Sequence, residues 1–67
     1  MKKKKVKPMH RLMLKRKKAG ITQADLAKGI GMSRQMINYY ENGVYVPSYE
    51  TLERIANYLN CWVKDIK

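Results

Sequence analysis

The sequence predicts an all-α protein, a compact bundle of four to five short helices around a central pair joined by a tight turn. A helix-start pattern occurs at Thr22 and again at Ser33, and Gly31 between them suits the end of the first of these two helices. Apolar residues also recur with a helical period near the carboxyl end, at Leu52, Ile55, Ala56 and Leu59.

The first helix is expected to open at Pro8, because proline has a suitable φ and lacks only an N–H that would go unused there. One face of this helix carries four residues at helical spacing: Met9, Leu12, Met13 and Arg16. Since a charge on an apolar face is costly to bury alone, Arg16 needs a partner. Gly20 is expected to end the helix.

The second helix is expected over about residues 23–30. The Thr22 hydroxyl can accept a free backbone N–H of the first turn, and Asp25 can reach back to complete a capping box. Gly29 inside this helix should cost about 1 kcal/mol relative to alanine, and the sequence offers no functional reason for it.

The third helix is expected over about residues 34–42, with Ser33 as its cap and Gly43 as its end. Ile37 and Tyr40 face inward, and Glu41 adjoins that face. The same period places five polar or aromatic residues on the outward side: Arg34, Gln35, Asn38, Tyr39 and Asn42.

Two further helices are expected after the loop at residues 44–46. Pro47 and Ser48 start the fourth helix, and Asn60 can take the left-handed position that closes it. Cys61, Val63 and Ile66 begin a last short helix, which would leave the Trp62 ring exposed.

The net charge of +10 is concentrated at the amino end. Residues 1–18 hold ten Lys or Arg and no acid, whereas residues 19–67 hold five basic and five acidic residues. We expect residues 1–7 to form a flexible basic arm and residues 8–67 to form the folded domain. Such a charge block suits nucleic acid first and an anionic membrane surface second, and the alternative is a solvated tail that aids solubility.

The composition excludes several functions. Paired acids, Ser-His or Cys-His sets and metal-ligand spacings are missing from the sequence, so we expect no enzyme, no metal or other cofactor and no small-molecule ligand. Cys61 alone excludes an internal disulfide, and Cys61 with His10 falls short of a four-ligand zinc site. Without an apolar run of about 18 residues or a signal-peptide core, we expect no membrane association and a cytoplasmic protein.

The central pair of helices resembles the Cro/CI-type (XRE-like) helix-turn-helix of phage repressors and small prokaryotic regulators. The matching residues are Gln23-Ala24-x-Leu26-Ala27, Gly31-x-Ser33, Ile37 and Glu41-Asn42-Gly43, followed by Pro47-Ser48. The resemblance extends over roughly residues 9–66 and implies a lambda-repressor-like DNA-binding domain that a prokaryote or its phage encodes. It also implies an ion pair between Arg16 and Glu41.

The outward side of the third helix is the candidate surface for reading bases in a major groove. Arg34 can bind guanine bidentately, Gln35 can do so with adenine, and Tyr39 can contact a thymine methyl or a phosphate. The resemblance selects these three positions, and Asn38 is a weaker candidate.

Other residues are candidates for phosphate contacts. By resemblance, Gln23 at a helix amino terminus binds phosphate, and Asn42 either does so or closes its helix. The remaining phosphate candidates lie near the third helix or in the basic arm: Ser33, Tyr45, Lys2, Lys3, Lys4, Lys5 and Lys7.

These features predict a sequence-specific, double-stranded DNA-binding transcriptional regulator, with repression as its expected role. We expect a homodimer on an inverted-repeat operator, joined through Trp62, Val63, Ile66 and residues 44–46. One alternative is a protein-interaction module, such as an antitoxin-like helix-turn-helix with secondary DNA contact. Another is RNA or single-strand binding through the arm, for which Tyr39 and Tyr45 are the only stacking candidates.

Overall fold

The computed structural model describes residues 8–67, and the arm predicted for residues 1–7 lies outside them. The described part of the chain contains five helices: α1 (His10–Lys18), α2 (Gln23–Ile30), α3 (Arg34–Asn42), α4 (Tyr49–Tyr58) and α5 (Val63–Ile66). The predicted all-α fold is therefore confirmed. None of the helices within residues 8–67 has the length and apolar character needed to cross a membrane.

Helix α1 begins at His10, so the prediction that Pro8 opens it is wrong by two residues. Met9 precedes the helix with φ −94° and ψ 73°, outside the helical region, and its side chain packs against the core. The helix therefore starts only after Met9. At the other end Gly20 has a φ of 75°, as expected of a residue that ends a helix.

The predicted starts of α2 and α3 are confirmed. The Thr22 hydroxyl accepts the backbone N–H of Asp25 at 3.0 Å, and the Asp25 carboxylate accepts the backbone N–H of Thr22 at 3.0 Å. Ser33 accepts the N–H of Met36 at 3.2 Å, and Gly31 between the helices has a φ of 74°. Local hydrogen bonds thus define both helices and the turn that joins them.

The core lies between all five helices. Its buried apolar members are Leu12, Leu26, Ala27, Ile30, Ile37, Tyr40, Leu52, Ile55, Ala56 and Ile66. Ala27 is only 2% exposed, consistent with its place where α2 and α3 pack together. The predicted inner faces of α1, α3 and α4 are all represented in this core.

The carboxyl end follows the prediction with one exception. Ser48 caps α4, Asn60 has a φ of 58°, and the Trp62 side chain is 73% exposed. Ile66, however, is 0% exposed and belongs to the core. The prediction that Ile66 helps to join two copies is therefore wrong, because a side chain enclosed within its own fold cannot contact a second molecule.

Packing against α4 explains why a glycine occupies position 29, which the sequence did not reveal. A Cβ atom at this position would lie within 3.0 Å of three carbon atoms of the Tyr58 ring on α4. The absence of a side chain at Gly29 allows this ring to lie directly against α2.

Candidate nucleic-acid interface

The predicted outward side of α3 is accessible in the structure. Arg34 and Gln35 are exposed in its first turn, and Asn38 and Tyr39 are half-buried one turn later. Ile37 and Tyr40 on the opposite side are buried. The helix therefore presents a polar and aromatic surface of a shape that a major groove accepts.

A buried ion pair holds α3 against α1. The guanidinium of Arg16 donates to both carboxylate oxygens of Glu41, from Nε at 2.7 Å and from Nη2 at 3.1 Å. Its Nη1 donates to the backbone carbonyl of Ile21 at 2.9 Å. Arg16 thereby connects α1 both to Ile21, the residue before the cap of α2, and to α3. Glu41 is the partner that the buried charge of Arg16 requires.

Gln23 connects this ion pair to the outward side of α3. Its Nε2 donates to Oε1 of Glu41 at 3.0 Å, and its Oε1 accepts from Nδ2 of Asn38 at 3.5 Å. The sequence identified all four residues but not this connection. A glutamine at the start of one helix carries no sequence pattern that pairs it with an asparagine 15 residues later.

The amino terminus of α2 lies beside two cationic side chains. Lys17 and Arg34 line one shallow depression together with Thr22, Gln23 and Ala24. A helix amino terminus and basic side chains both attract phosphate. Lys17 was not among the predicted phosphate residues, since the sequence indicates only that it stands near the end of α1.

Tyr39 is packed against Tyr45 of the loop that follows α3. Their ring centroids are 5.2 Å apart with an interplanar angle of 73°, an edge-to-face arrangement. This contact restricts the Tyr39 ring on the outward side of α3, while Tyr45 itself remains half-exposed. The sequence predicted a role for each tyrosine but not their contact.

Two of the predicted phosphate residues also make local hydrogen bonds. Asn42 donates from Nδ2 to the backbone carbonyl of Asn38 at 2.8 Å, which favours its role in closing α3. Ser33 accepts the Met36 N–H, and its exposed hydroxyl retains a proton to donate. The arm lysines lie outside the described residues.

The paired helices α2 and α3 also place the chain in a known protein family. A family model described as helix-turn-helix matches residues 12–61, which include both helices and the Tyr39–Tyr45 pair. The chain belongs to the Cro/CI-type helix-turn-helix family. This assignment confirms the predicted family, whose helix-turn-helix is a DNA-binding domain.

Individual relatives of this helix-turn-helix chain come from a phage and from archaea. It is 48% identical over 46 residues to the ImmF control region 10 kDa protein of Bacillus phage phi105, an alignment of 69% of this chain and 51% of the phage protein. The chain thus spans about half the length of that relative. It is 39% identical over 51 residues to an uncharacterized HTH-type transcriptional regulator of Archaeoglobus fulgidus, covering 76% and 73% of the two chains. A similarly named regulator of Methanocaldococcus jannaschii is 44% identical over 46 residues, covering 69% and 70%.

Proposed function

We propose that this helix-turn-helix chain is a sequence-specific repressor that occupies a double-stranded DNA operator and blocks RNA polymerase. The observation that carries the proposal is the juxtaposition of two surfaces. The exposed first turn of α3 lies beside the amino terminus of α2, with Lys17 and Arg34 lining the depression between them. One surface suits base edges in a major groove, and the other suits the phosphates along it.

The base contacts in this proposal come from the outward side of α3. Arg34 binds guanine O6 and N7, and Gln35 binds adenine N6 and N7, because both side chains are exposed and have bidentate geometry. Tyr39 contacts a thymine methyl with a ring that Tyr45 holds in place.

The phosphate contacts surround these residues. Gln23 and Lys17 bind phosphate at the amino terminus of α2, where the helix dipole adds to the positive charge. The remaining proposed contacts are Ser33, Asn42 and Tyr45, with the arm lysines adding affinity for any sequence.

The DNA-bound form in this proposal is a homodimer on an inverted repeat. One α3 reads only a few base pairs, whereas a two-fold pair places two such helices about 34 Å apart on one face of the duplex. Trp62 at 73% exposure and Val46 at 67% are the largest apolar exposures near the predicted contact surface. The names of the relatives, a phage control-region protein and transcriptional regulators, support a role in controlling transcription.

The test is selection of bound sequences from a random duplex pool, followed by gel shifts on the recovered site. We expect an inverted repeat whose preference is lost with Arg34→Ala. Arg54→Ala is the matched control, because it removes the same charge from an exposed position on α4, a helix that carries none of the proposed DNA contacts. Recovery of no preferred sequence, or equal binding to single strands, would contradict the proposal.

A further inference from the structure

Hydrogen-bonded side chains connect the buried ion pair to the outward side of α3. The chemistry of each group determines which of its atoms donates a hydrogen bond and which accepts one. Arg16 binds both oxygens of the Glu41 carboxylate, at 2.7 and 3.1 Å. An ionised carboxylate only accepts hydrogen bonds, so Gln23 must present its NH₂ group to Glu41, as it does at 3.0 Å.

The orientation of Gln23 then determines the orientation of Asn38. With its NH₂ turned to Glu41, Gln23 presents its carbonyl oxygen to Asn38, and an oxygen requires a donor. Asn38 accordingly turns its NH₂ group toward Gln23, at 3.5 Å. The bond between Asn38 and Gln23 is long, so it orients the Asn38 amide but adds little stability.

The nitrogen and oxygen of a side-chain amide point in different directions from the same carbon atom. An amide whose nitrogen faces a neighbour therefore has its oxygen facing away from that neighbour. The Oδ1 atom of Asn38 therefore points away from Gln23, while Asn38 remains half-buried between α2 and the outer side of α3. The backbone at Asn38 is held as well, because its carbonyl accepts from Asn42 at 2.8 Å.

We infer that the chain Arg16–Glu41–Gln23–Asn38 is a polarity relay, which makes Asn38 an acceptor toward DNA and selects a base with an exposed amino group. In the major groove these are adenine, through N6, and cytosine, through N4. Guanine O6 and thymine O4 are acceptors at the same depth and would face the Asn38 oxygen unfavourably. Glu41 and Gln23 are positioning residues in this relay, and the inference rests on the proposed DNA-binding function.

The first experiment needs no DNA. Side-chain amide signals of Asn38 are followed in ¹H–¹⁵N spectra of the free protein and of Gln23→Met, which keeps the length of the side chain but removes the acceptor. We expect the Asn38 NH₂ signals to shift toward solvent values and to exchange faster. Gln35→Met is the matched control, since it makes the same substitution on the same surface outside the relay, and it should leave those signals in place. Unchanged Asn38 signals in Gln23→Met would overturn the relay.

The second experiment measures base preference. Selection with Asn38→Ala identifies the base pair that Asn38 contacts, where the parent protein should prefer adenine or cytosine. Gln23→Met should lower that preference roughly two- to tenfold per bound protomer, the effect of one hydrogen bond, and leave the preferences of Arg34 and Gln35 unchanged. A parent preference for guanine or thymine there, or an unaltered preference in Gln23→Met, would overturn the specificity role.

The two experiments separate this inference from the proposed function. Circular dichroism verifies that each variant is folded. A parent protein without any sequence preference would refute the proposed function and the base selection together, whereas the amide signals would still decide whether the relay exists.

Discussion

Arg16 and Glu41 are the residues on which the arrangement of α1 and α3 depends most. Their side chains are 9% and 3% exposed, so water cannot solvate either charge when its partner is removed. We expect Glu41→Ala to lower the free energy of unfolding by about 3–5 kcal/mol, because it leaves the Arg16 charge buried and unpaired. A domain this small has a total stability of similar size, so the variant should be largely unfolded near 37 °C.

Urea or thermal denaturation followed by circular dichroism measures this change. Glu53→Ala is the control, since Glu53 is an exposed carboxylate on α4, and it should change stability by no more than about 0.5 kcal/mol. Similar losses of stability in the two variants would refute the importance of the buried pair.

A second effect at the scale of single residues is the contact between Gly29 and the Tyr58 ring. In a Tyr58→Ala background, Gly29→Ala should stabilise the protein by up to about 1 kcal/mol, through helix propensity alone. In the parent protein the new methyl group must first displace the Tyr58 ring, so the gain should be smaller or reversed. A double-mutant cycle measured by denaturation checks this coupling, and additive effects of the two substitutions would show that the ring does not pack on Gly29.

At the scale of an element, the start of α2 depends on the Thr22–Asp25 capping box. Hydrogen bonds from the backbone and side chain of Thr22 lower the pKa of the Asp25 carboxyl below its ordinary value of 3.8. A group with a lowered pKa in the folded state stabilises the fold above its unfolded pKa, and that contribution is lost as the pH falls through the folded value. The capping box should therefore support α2 at neutral pH and fail in acid below about pH 4.

Two variants test this capping box. Thr22→Ala should cost about 1 kcal/mol at pH 7 and should raise the Asp25 pKa toward 3.8 in an NMR titration. Asp25→Asn should differ from the parent in unfolding free energy at pH 7 but converge with it in acid. Because alanine keeps the backbone N–H that binds Asp25, an Asp25 pKa that is the same in the parent and in Thr22→Ala would exclude the contribution of the Thr22 side chain.

At the scale of the whole molecule, the uneven distribution of charge predicts that different residues provide general affinity for DNA and specificity for its sequence. Residues 1–7 hold five lysines, whose ammonium groups can neutralise phosphates of any DNA sequence. Deleting them should weaken binding to all duplexes alike and reduce the salt slope by about 0.9 for each phosphate that is no longer neutralised. Arg34→Ala should instead cost roughly 1–3 kcal/mol per half-site on the preferred sequence and little on random DNA.

Binding titrations on specific and random duplexes at several salt concentrations distinguish these effects. If the deletion abolished sequence preference and Arg34→Ala preserved it, the outward side of α3 would not be the base-reading surface.

The proposed dimer makes a further prediction for the whole molecule, based on the opposite exposures of Trp62 and Ile66. Trp62 is 73% exposed and Ile66 is 0% exposed, although they are only four residues apart. Trp62→Ala should leave monomer stability within about 0.5 kcal/mol and weaken the 2:1 complex on a full inverted repeat. Ile66→Ala should cost about 2–5 kcal/mol of stability, because it leaves a cavity in the core. Analytical ultracentrifugation with labelled duplex measures the stoichiometry, and a 1:1 complex of the parent protein on the full site would contradict the dimer.

The sequence by itself determined where three of the five helices begin and end and which side of α3 faces outward. Thr22, Ser33 and Ser48 start helices, and Gly31, Gly43 and Asn60 close them, because each acts on backbone groups only a few residues away. Such short-range hydrogen bonds and the helical period are legible in the order of residues.

Only the tertiary structure decided which distant residues meet. The sequence showed that Arg16 needed a partner and, by resemblance, named Glu41, but it did not reveal that Gln23 joins this pair to Asn38. It also placed Ile66 on the surface and left Gly29 without a reason, whereas the fold buries Ile66 and packs the Tyr58 ring against Gly29. These contacts depend on how the helices pack in three dimensions, and packing between residues far apart in the chain leaves no local pattern in the sequence.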